Sequence, residues 1–361
     1  MAGKKVLVLG GGIIGAAIAW NLQRQGADVL ILDQGAARAT DGSFGWINAS
    51  FYLSPAHYAL RAEGIAAMRR LGDAHGAPVQ WCGSLSWEMS AADIDSTVAE
   101  FRQLGGRVDV LSADAARALE PALGPLPEHV LHYPSEAVVD AGALAQWFRQ
   151  GATAMGARCL SGVLARALEW RGGRIGGVRT EFGIIEADHV VVALGTGTQA
   201  FLAGAQIHVP LVPRPAVMVR SAPVDFALNH VLATEFGEVR QLADGSLMTP
   251  AAITHQADAA ERLDTAPLDA AEAAIARLRT LFPGPQITLA EAHVAYRPMP
   301  EDGLPVMGPV GDGLYVAVMH SGITLGALAG ELGAREVMEG ESQDTSGWLA
   351  SFRPGRFAGK V

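Results

Sequence analysis

The tightest constraint on this chain lies in its first 33 residues. Gly10-Gly11-Gly12-Ile13-Ile14-Gly15 reads G-x-G-x-x-G, directly after a short Val/Leu run at 5–9 and at the head of helix-forming residues 13–25, which stop at Gly26. The first glycine permits a tight turn, the second lets backbone approach a pyrophosphate, and the third lets helix and strand touch. N–H groups at the helix start have no intrahelical acceptor and so face the phosphates. A second apolar run, DVLILD at 28–33, ends in Asp33 with seventeen residues between it and Gly15, where a carboxylate accepts ribose hydroxyls; Gln34 comes next. A glycine turn without function does not require strand, helix, strand and terminal acid in register. The segment predicts a βαβ unit that binds a dinucleotide through Gly10, Gly12, Ile13, Ile14, Gly15, Asp33 and Gln34.

The stretch after Asp33 separates the dinucleotides. A nicotinamide dehydrogenase would continue its alternation of strands and helices, whereas here residues 39–49, ATDGSFGWINA, form a second Gly/Ser/Thr-rich loop. Such a loop suits a longer ligand, FAD, running from pyrophosphate to ring, with Thr40, Ser43, Gly45, Trp46 and Ile47 as contacts and Asn48 in the wall beside the ring. An ordinary surface loop is the plain alternative, but Phe44, Trp46 and Ile47 are poor surface residues.

Further along, residues 56–72, 91–105 and 143–155 read as helices, with strand character at 79–89. Three short strands at 163–170, 174–179 and 183–187 are parted by turn residues and make a meander of hairpins. The meander feeds HVVVAL at 189–194, which ends in Gly195-Thr196-Gly197. Residues 210–297 show Pro-rich strand starts, an Asp244-Gly245 hairpin signal and one helix at 270–281. The end is the strand LYVAVM, a His320-Ser321-Gly322 turn, and a helix opening with Ile323 and Thr324.

Composition removes other classes. The 361 residues carry 27 basic and 37 acidic side chains, net −10, which argues against a sequence-independent nucleic-acid binder. Two cysteines, Cys82 and Cys159, make neither a disulfide framework nor a metal cluster, so no metal is expected. MAGKK before an apolar stretch imitates a secretory leader, but the stretch is glycine-rich and runs into patterned sequence. No segment reaches the ~20 apolar residues of a membrane span. A cytoplasmic location is the expectation.

The opening fingerprint with Asp33, the loop TDGSFGWINA, the meander into VVVALGTGT and the block YRPMPEDGLPVMGPV…GLYVAVMHSGITLGALAGE resemble the FAD-dependent D-amino-acid oxidase superfamily, with its glycine oxidases, sarcosine oxidases and D-amino-acid dehydrogenases. The resemblance implies α/β plus α+β architecture: a Rossmann-like FAD-binding domain from 1–80, 138–208 and 298–361, and a substrate domain from 81–137 and 209–297 with a large, mostly antiparallel sheet. It implies oxidation of the C–N bond of an amino acid or N-substituted amino acid to an imine, by hydride transfer to flavin N5, with oxygen or a carrier taking the electrons. It places Arg297 at the substrate carboxylate, Val163 against the adenine, Gly195 and His320 along the cofactor, and the helix start at Ser321-Gly322 toward the flavin pyrimidine. Arg297 also stands on chemistry alone, since a planar fork of donors matches a carboxylate in a desolvated pocket. Relatives that bind flavin covalently use a cysteine just before this arginine; residues 292–296 have none, so non-covalent FAD is expected. His255 and Arg240 are weaker candidates for the amine and a second carboxylate contact. His57 and His320 are candidates beside the ring, though a lone histidine is more often a core or surface residue. The alternative is an FAD-binding subunit of a heteromeric dehydrogenase, active only with its partner; a homo-oligomer is equally open.

Overall fold

Alternation within the first two strands decides how the molecule is layered. In a computed structural model, which describes residues 3–35, 39–253 and 260–358, Lys5–Leu9 and Asp28–Asp33 pair in parallel, Val6 opposite Val29 and Leu9 opposite Leu32. Val6, Val8, Val29 and Ile31 point to one face, into a core made with the helices Ile13–Arg24, Ala141–Ala154 and Gly322–Glu339. Leu7, Leu9, Leu30 and Leu32 point to the other, onto the meander strands Ala165–Arg171, Arg174–Thr180 and Gly183–Glu186, through Ile175 and Val178. Both faces are covered, so these strands read as continuous apolar runs.

The sheet runs Val306–Gly311, Leu314–Val318, His189–Val192, Lys5–Leu9, Asp28–Asp33, Arg158–Ser161, parallel except for the first, which lies antiparallel to its neighbour. A second sheet has eight strands in the order Leu289–Pro300, Leu211–Pro223, Ser246–Pro250, Gly237–Gln241, Val231–Thr234, Ser84–Ser86, His129–Tyr133, Asp109–Ser112. Its pairs are antiparallel apart from Val231–Thr234 with Ser84–Ser86. One face, with Val217, Val219, Val239 and Leu247, packs on the helix Pro267–Leu281. The other presents Ala216, Met218, Ala233 and Met248 to Phe44 and Trp46 of the Gly/Ser-rich loop. That contact creates the site.

Several elements depart from the sequence reading. The strand expected at 79–89 is confined to Ser84–Ser86, with one isolated bridge from Gln80 to Val138. The helix expected at 91–105 begins as a 3-10 turn, Ala91–Asp93, before the α-helix Ile94–Gln103. The edge strand Arg158–Ser161 was not anticipated; all four residues are exposed, so no apolar alternation marks it. Among the described residues no helix is long and apolar enough to cross a membrane.

Candidate active site

Gly10 has φ +103°, and a Cβ on it would stand 2.3 Å from the Ala193 carbonyl oxygen; one on Gly15 would stand 2.0 Å from the Gly10 oxygen. No side chain fits either position, which lets strand and helix meet closely. Gly12 caps the helix Ile13–Arg24 without a side-chain hydrogen bond, and no acid occupies its first turn. The Ile13 N–H donates to Thr40 Oγ1 at 3.1 Å, tying the Gly/Ser-rich loop to the helix start. From the other side Arg149 donates to the Gly11 carbonyl at 2.5 Å. Asp33 is 5% exposed, accepts the Gly35 N–H at 3.0 Å, and lies against Gly11.

Gly10, Thr40 and Asp33 border a crevice of about 1050 Å³. Gly10, Gly12, Ile13 and Ile14 form its floor, Asp33 and Gln34 one end, and Thr40, Ser43 and Gly195 its sides. His320, Gly322 and Ile323 close the far end. Val163 borders a neighbouring cavity that shares Gln34, Leu194 and Gly197 with the crevice, and its N–H donates to the Asp33 carbonyl at 3.3 Å. Two expected contacts lie behind the wall: Gly15 supports Gly10, and Ile47, fully enclosed, pairs with Ala137 in the core.

Beyond His320 and Ile323, which line both, the crevice continues into a cavity of about 660 Å³ between the loop and the eight-stranded sheet. Gly45, Trp46 and Asn48 wall one side, Ser321 and Thr324 the helix end, and Ala216, Met218 and Arg297 the sheet. Arg297, 7% exposed, sits opposite Arg214 in the antiparallel register, so both side chains leave the same face. The chain has lysine only at 4, 5 and 360, so every cationic side chain lining this cavity is a guanidinium, charged throughout the working pH range.

Two residues that sequence reading did not single out, Glu136 and Arg61, shape the loop. Glu136, 2% exposed, accepts from Trp46 Nε1 at 3.0 Å, the Ala49 N–H at 3.0 Å, the Ser50 N–H at 2.9 Å and Ser84 Oγ at 2.6 Å. Arg61 reaches in from the helix Pro55–His75 to Asn48 and Ser321. Thr324 Oγ1 accepts the Asn48 N–H at 3.2 Å. These partners are separated by up to hundreds of residues in sequence, so no local spacing announces them.

Arg240 stands apart from Arg297. Its guanidinium packs behind Gly45 and the Phe44 ring, reaches the Met248 thioether at 3.8 Å, and borders a separate cavity at the seam with Asp140 and Arg220. Burial pulls its pKa down to about 10. His255 lies outside the described residues. His57, about one turn before Arg61 on the same helix, is buried and touches Ser321. Among the described residues no cluster of His, Cys, Asp and Glu could hold a metal, and neither cysteine borders the two joined cavities.

A long crevice with Asp33 at one end and a helix start along its floor, continued by a cavity that holds a buried guanidinium, has room and donors for a dinucleotide. Comparison with known proteins points to FAD. The profile of a family described as FAD dependent oxidoreductase matches residues 5–336. The D-amino acid dehydrogenase of Rhizobium johnstonii is 26% identical over 89% of this chain and 92% of its own length. L-proline dehydrogenase from P. horikoshii superposes with a TM-score of 0.85 at 18% identity, covering 98% of each chain. Glycine oxidase from Geobacillus kaustophilus gives 0.81 at 23% identity, covering 99% of this chain and 100% of its own.

Proposed function

The chain belongs to the FAD dependent oxidoreductase family, and from that premise we propose that it oxidises the C–N bond of an amino acid or N-substituted amino acid to an imine, which water then hydrolyses. The observation that carries this reading is Arg297, a guanidinium nine-tenths buried in the cavity that continues the dinucleotide crevice. A charge there favours a carboxylate, through two parallel N–H···O bonds in a site with little water. Bound FAD supplies the acceptor for the hydride leaving the α-carbon. The chain's own residues orient the acid: Arg297 holds the carboxylate, and the wall Gly45–Asn48 limits the space in which the amine can lie. Such a step needs orientation more than a dedicated base. The mobile proton of the ammonium group leaves to water before the step.

In this reading the helix start at Gly12–Ile14 holds the pyrophosphate, Asp33 the adenosine ribose, and Val163 with Gln34 the adenine end. Hydrogen bonds to a charged group contribute roughly 1.5–3 kcal/mol. Asp33→Ala is therefore expected to weaken FAD binding about ten- to a hundredfold, measured by titrating the apoprotein; unchanged affinity removes Asp33 from the site. FAD is expected to be non-covalent, so acid precipitation should release the colour to the supernatant, whereas yellow precipitate shows a covalent link.

Product analysis tests the activity. The purified chain, supplied with an artificial electron carrier, should convert some member of a panel of glycine, sarcosine, proline, D- and L-amino acids and N-alkyl amino acids to a keto or aldehyde acid plus ammonia or amine. A flavin-loaded chain that converts none contradicts the proposal.

A further inference from the structure

Resting on the FAD reading, a second buried guanidinium in the same cavity deepens it. Arg61 is 3% exposed, and its Nε donates to the Asn48 carbonyl at 3.0 Å, one Nη to Asn48 Oδ1 and the other to Ser321 Oγ at 2.7 Å. Among the described residues none of these bonds ends on a carboxylate; Glu136 acts on it only at a distance. Ser321 is the N-cap of the eighteen-residue helix Gly322–Glu339, whose first turn carries no acid and whose N–H groups receive no bond from the cap side chain. A positive helix end and a buried cation thus share one spot. Helix starts favour anions, and a cation beside one is unfavourable by itself. The arrangement is balanced when negative charge enters the cavity.

The hydrogen-bond directions sharpen this. His57 Nδ1 accepts the Leu53 N–H at 3.2 Å and so bears no proton. Burial, with Arg61 beside it, drives the His57 pKa down to about 3, so the ring is neutral and its proton sits on Nε2. That nitrogen faces Ser321 Oγ at 3.5 Å. With that tautomer Ser321 Oγ is offered hydrogens by both Arg61 and His57, which occupies its two lone pairs and leaves its own O–H to be donated elsewhere; the residue lines the cavity. Among the neighbouring hydroxyls Thr324 is committed to the loop, bridging the Asn48 N–H and the Trp46 carbonyl, and Ser43 accepts the Gly45 N–H at 3.1 Å.

We infer that Arg61, together with His57, is a positioning residue that fixes Ser321 as a hydrogen-bond donor into the cavity, and that this polarised corner stabilises negative charge on the flavin ring. Preoriented donors of this kind act where charge develops and need no rearrangement as it does. The consequence is a flavin that accepts electrons more readily than the helix end alone would allow.

Sulfite reports on this without any amino-acid substrate. Its sulfur lone pair forms a bond to flavin N5, the N5=C4a π pair moves into the ring, and the resulting negative charge settles on the N1–C2–O2 edge. The FAD-loaded wild type should form this adduct. Arg61→Met and Ser321→Ala should each weaken sulfite binding about tenfold or more, and the double variant should be no worse than the weaker-binding single, the coupling expected when one acts through the other. Arg61→Lys should recover part of the loss. The two-electron midpoint potential should fall by about 30 mV for each tenfold change. FAD-loaded Arg61→Met with wild-type sulfite affinity and potential overturns the inference. So does independent, additive loss in the double variant. Should Arg61→Met fail to fold, an unchanged Ser321→Ala decides the matter equally. A wild type that holds no flavin contradicts the cofactor reading instead, a different failure.

Discussion

Arg297→Met is expected to raise the apparent dissociation constant for amino-acid substrates by two to three orders of magnitude or more, following the ~3–5 kcal/mol typical of breaking a buried ion pair. Met keeps much of the side-chain volume and removes the charge, so a buried substrate carboxylate is left without its counter-charge. Some reduction rate should go as well, because the acid is no longer held in one orientation. FAD content should stay near that of the wild type, since Arg297 borders the cavity beyond the crevice and not the crevice itself. An amine without a carboxylate should gain relative to the acid. Loss of FAD would make the residue structural, and unchanged kinetics toward every acid would move the anchor elsewhere.

Glu136→Ala is expected to cost a comparable amount of stability and to carry the cofactor with it. Four donors converge on this carboxylate, from Trp46, Ala49, Ser50 and Ser84, and it is 2% exposed. Each buried donor left without an acceptor costs roughly 1–3 kcal/mol, so even with partial rehydration the loss should exceed ~3 kcal/mol. Arg61 also loses the carboxylate that balances it at a distance. Denaturant unfolding should show the midpoint falling with an unchanged slope, and FAD should dissociate more readily because Trp46, Ala49 and Ser50 lose their anchorage. Glu136→Gln, which keeps one acceptor oxygen, should fall between. A fully stable, fully loaded Glu136→Ala would show that the loop holds itself.

The parts of this molecule visible in sequence are those whose signal is local. Gly10 to Gly15, the strand before them and Asp33 after them lie within one βαβ unit, so spacing alone sets their geometry. The Ser321-Gly322 turn is equally local, an apolar strand running straight into a helix. Phe44 and Trp46 announced themselves by being apolar within a glycine-rich loop, and the structure buries both against Met218 and Met248. What failed was long-range. Arg240, the weaker of the two arginine candidates, shares no cavity with Arg297: the eight-stranded sheet places them beside different cavities. Glu136 and Arg61 are an acid after a turn and a polar residue on a helix, and only tertiary folding brings them to the loop. Ile47, expected along the cofactor, has its side chain in the core beneath the loop, so only its backbone is left to face the crevice side.

Anaerobic titration of the flavin-loaded chain, alone and without carrier or partner, tests the central claim most directly. The long-wavelength flavin band should bleach with an amino acid or N-substituted amino acid and remain with the corresponding amine lacking its carboxylate. Bleaching by both to the same extent would remove the carboxylate anchor, and a flavin that no acid reduces would contradict a self-sufficient amino-acid oxidoreductase.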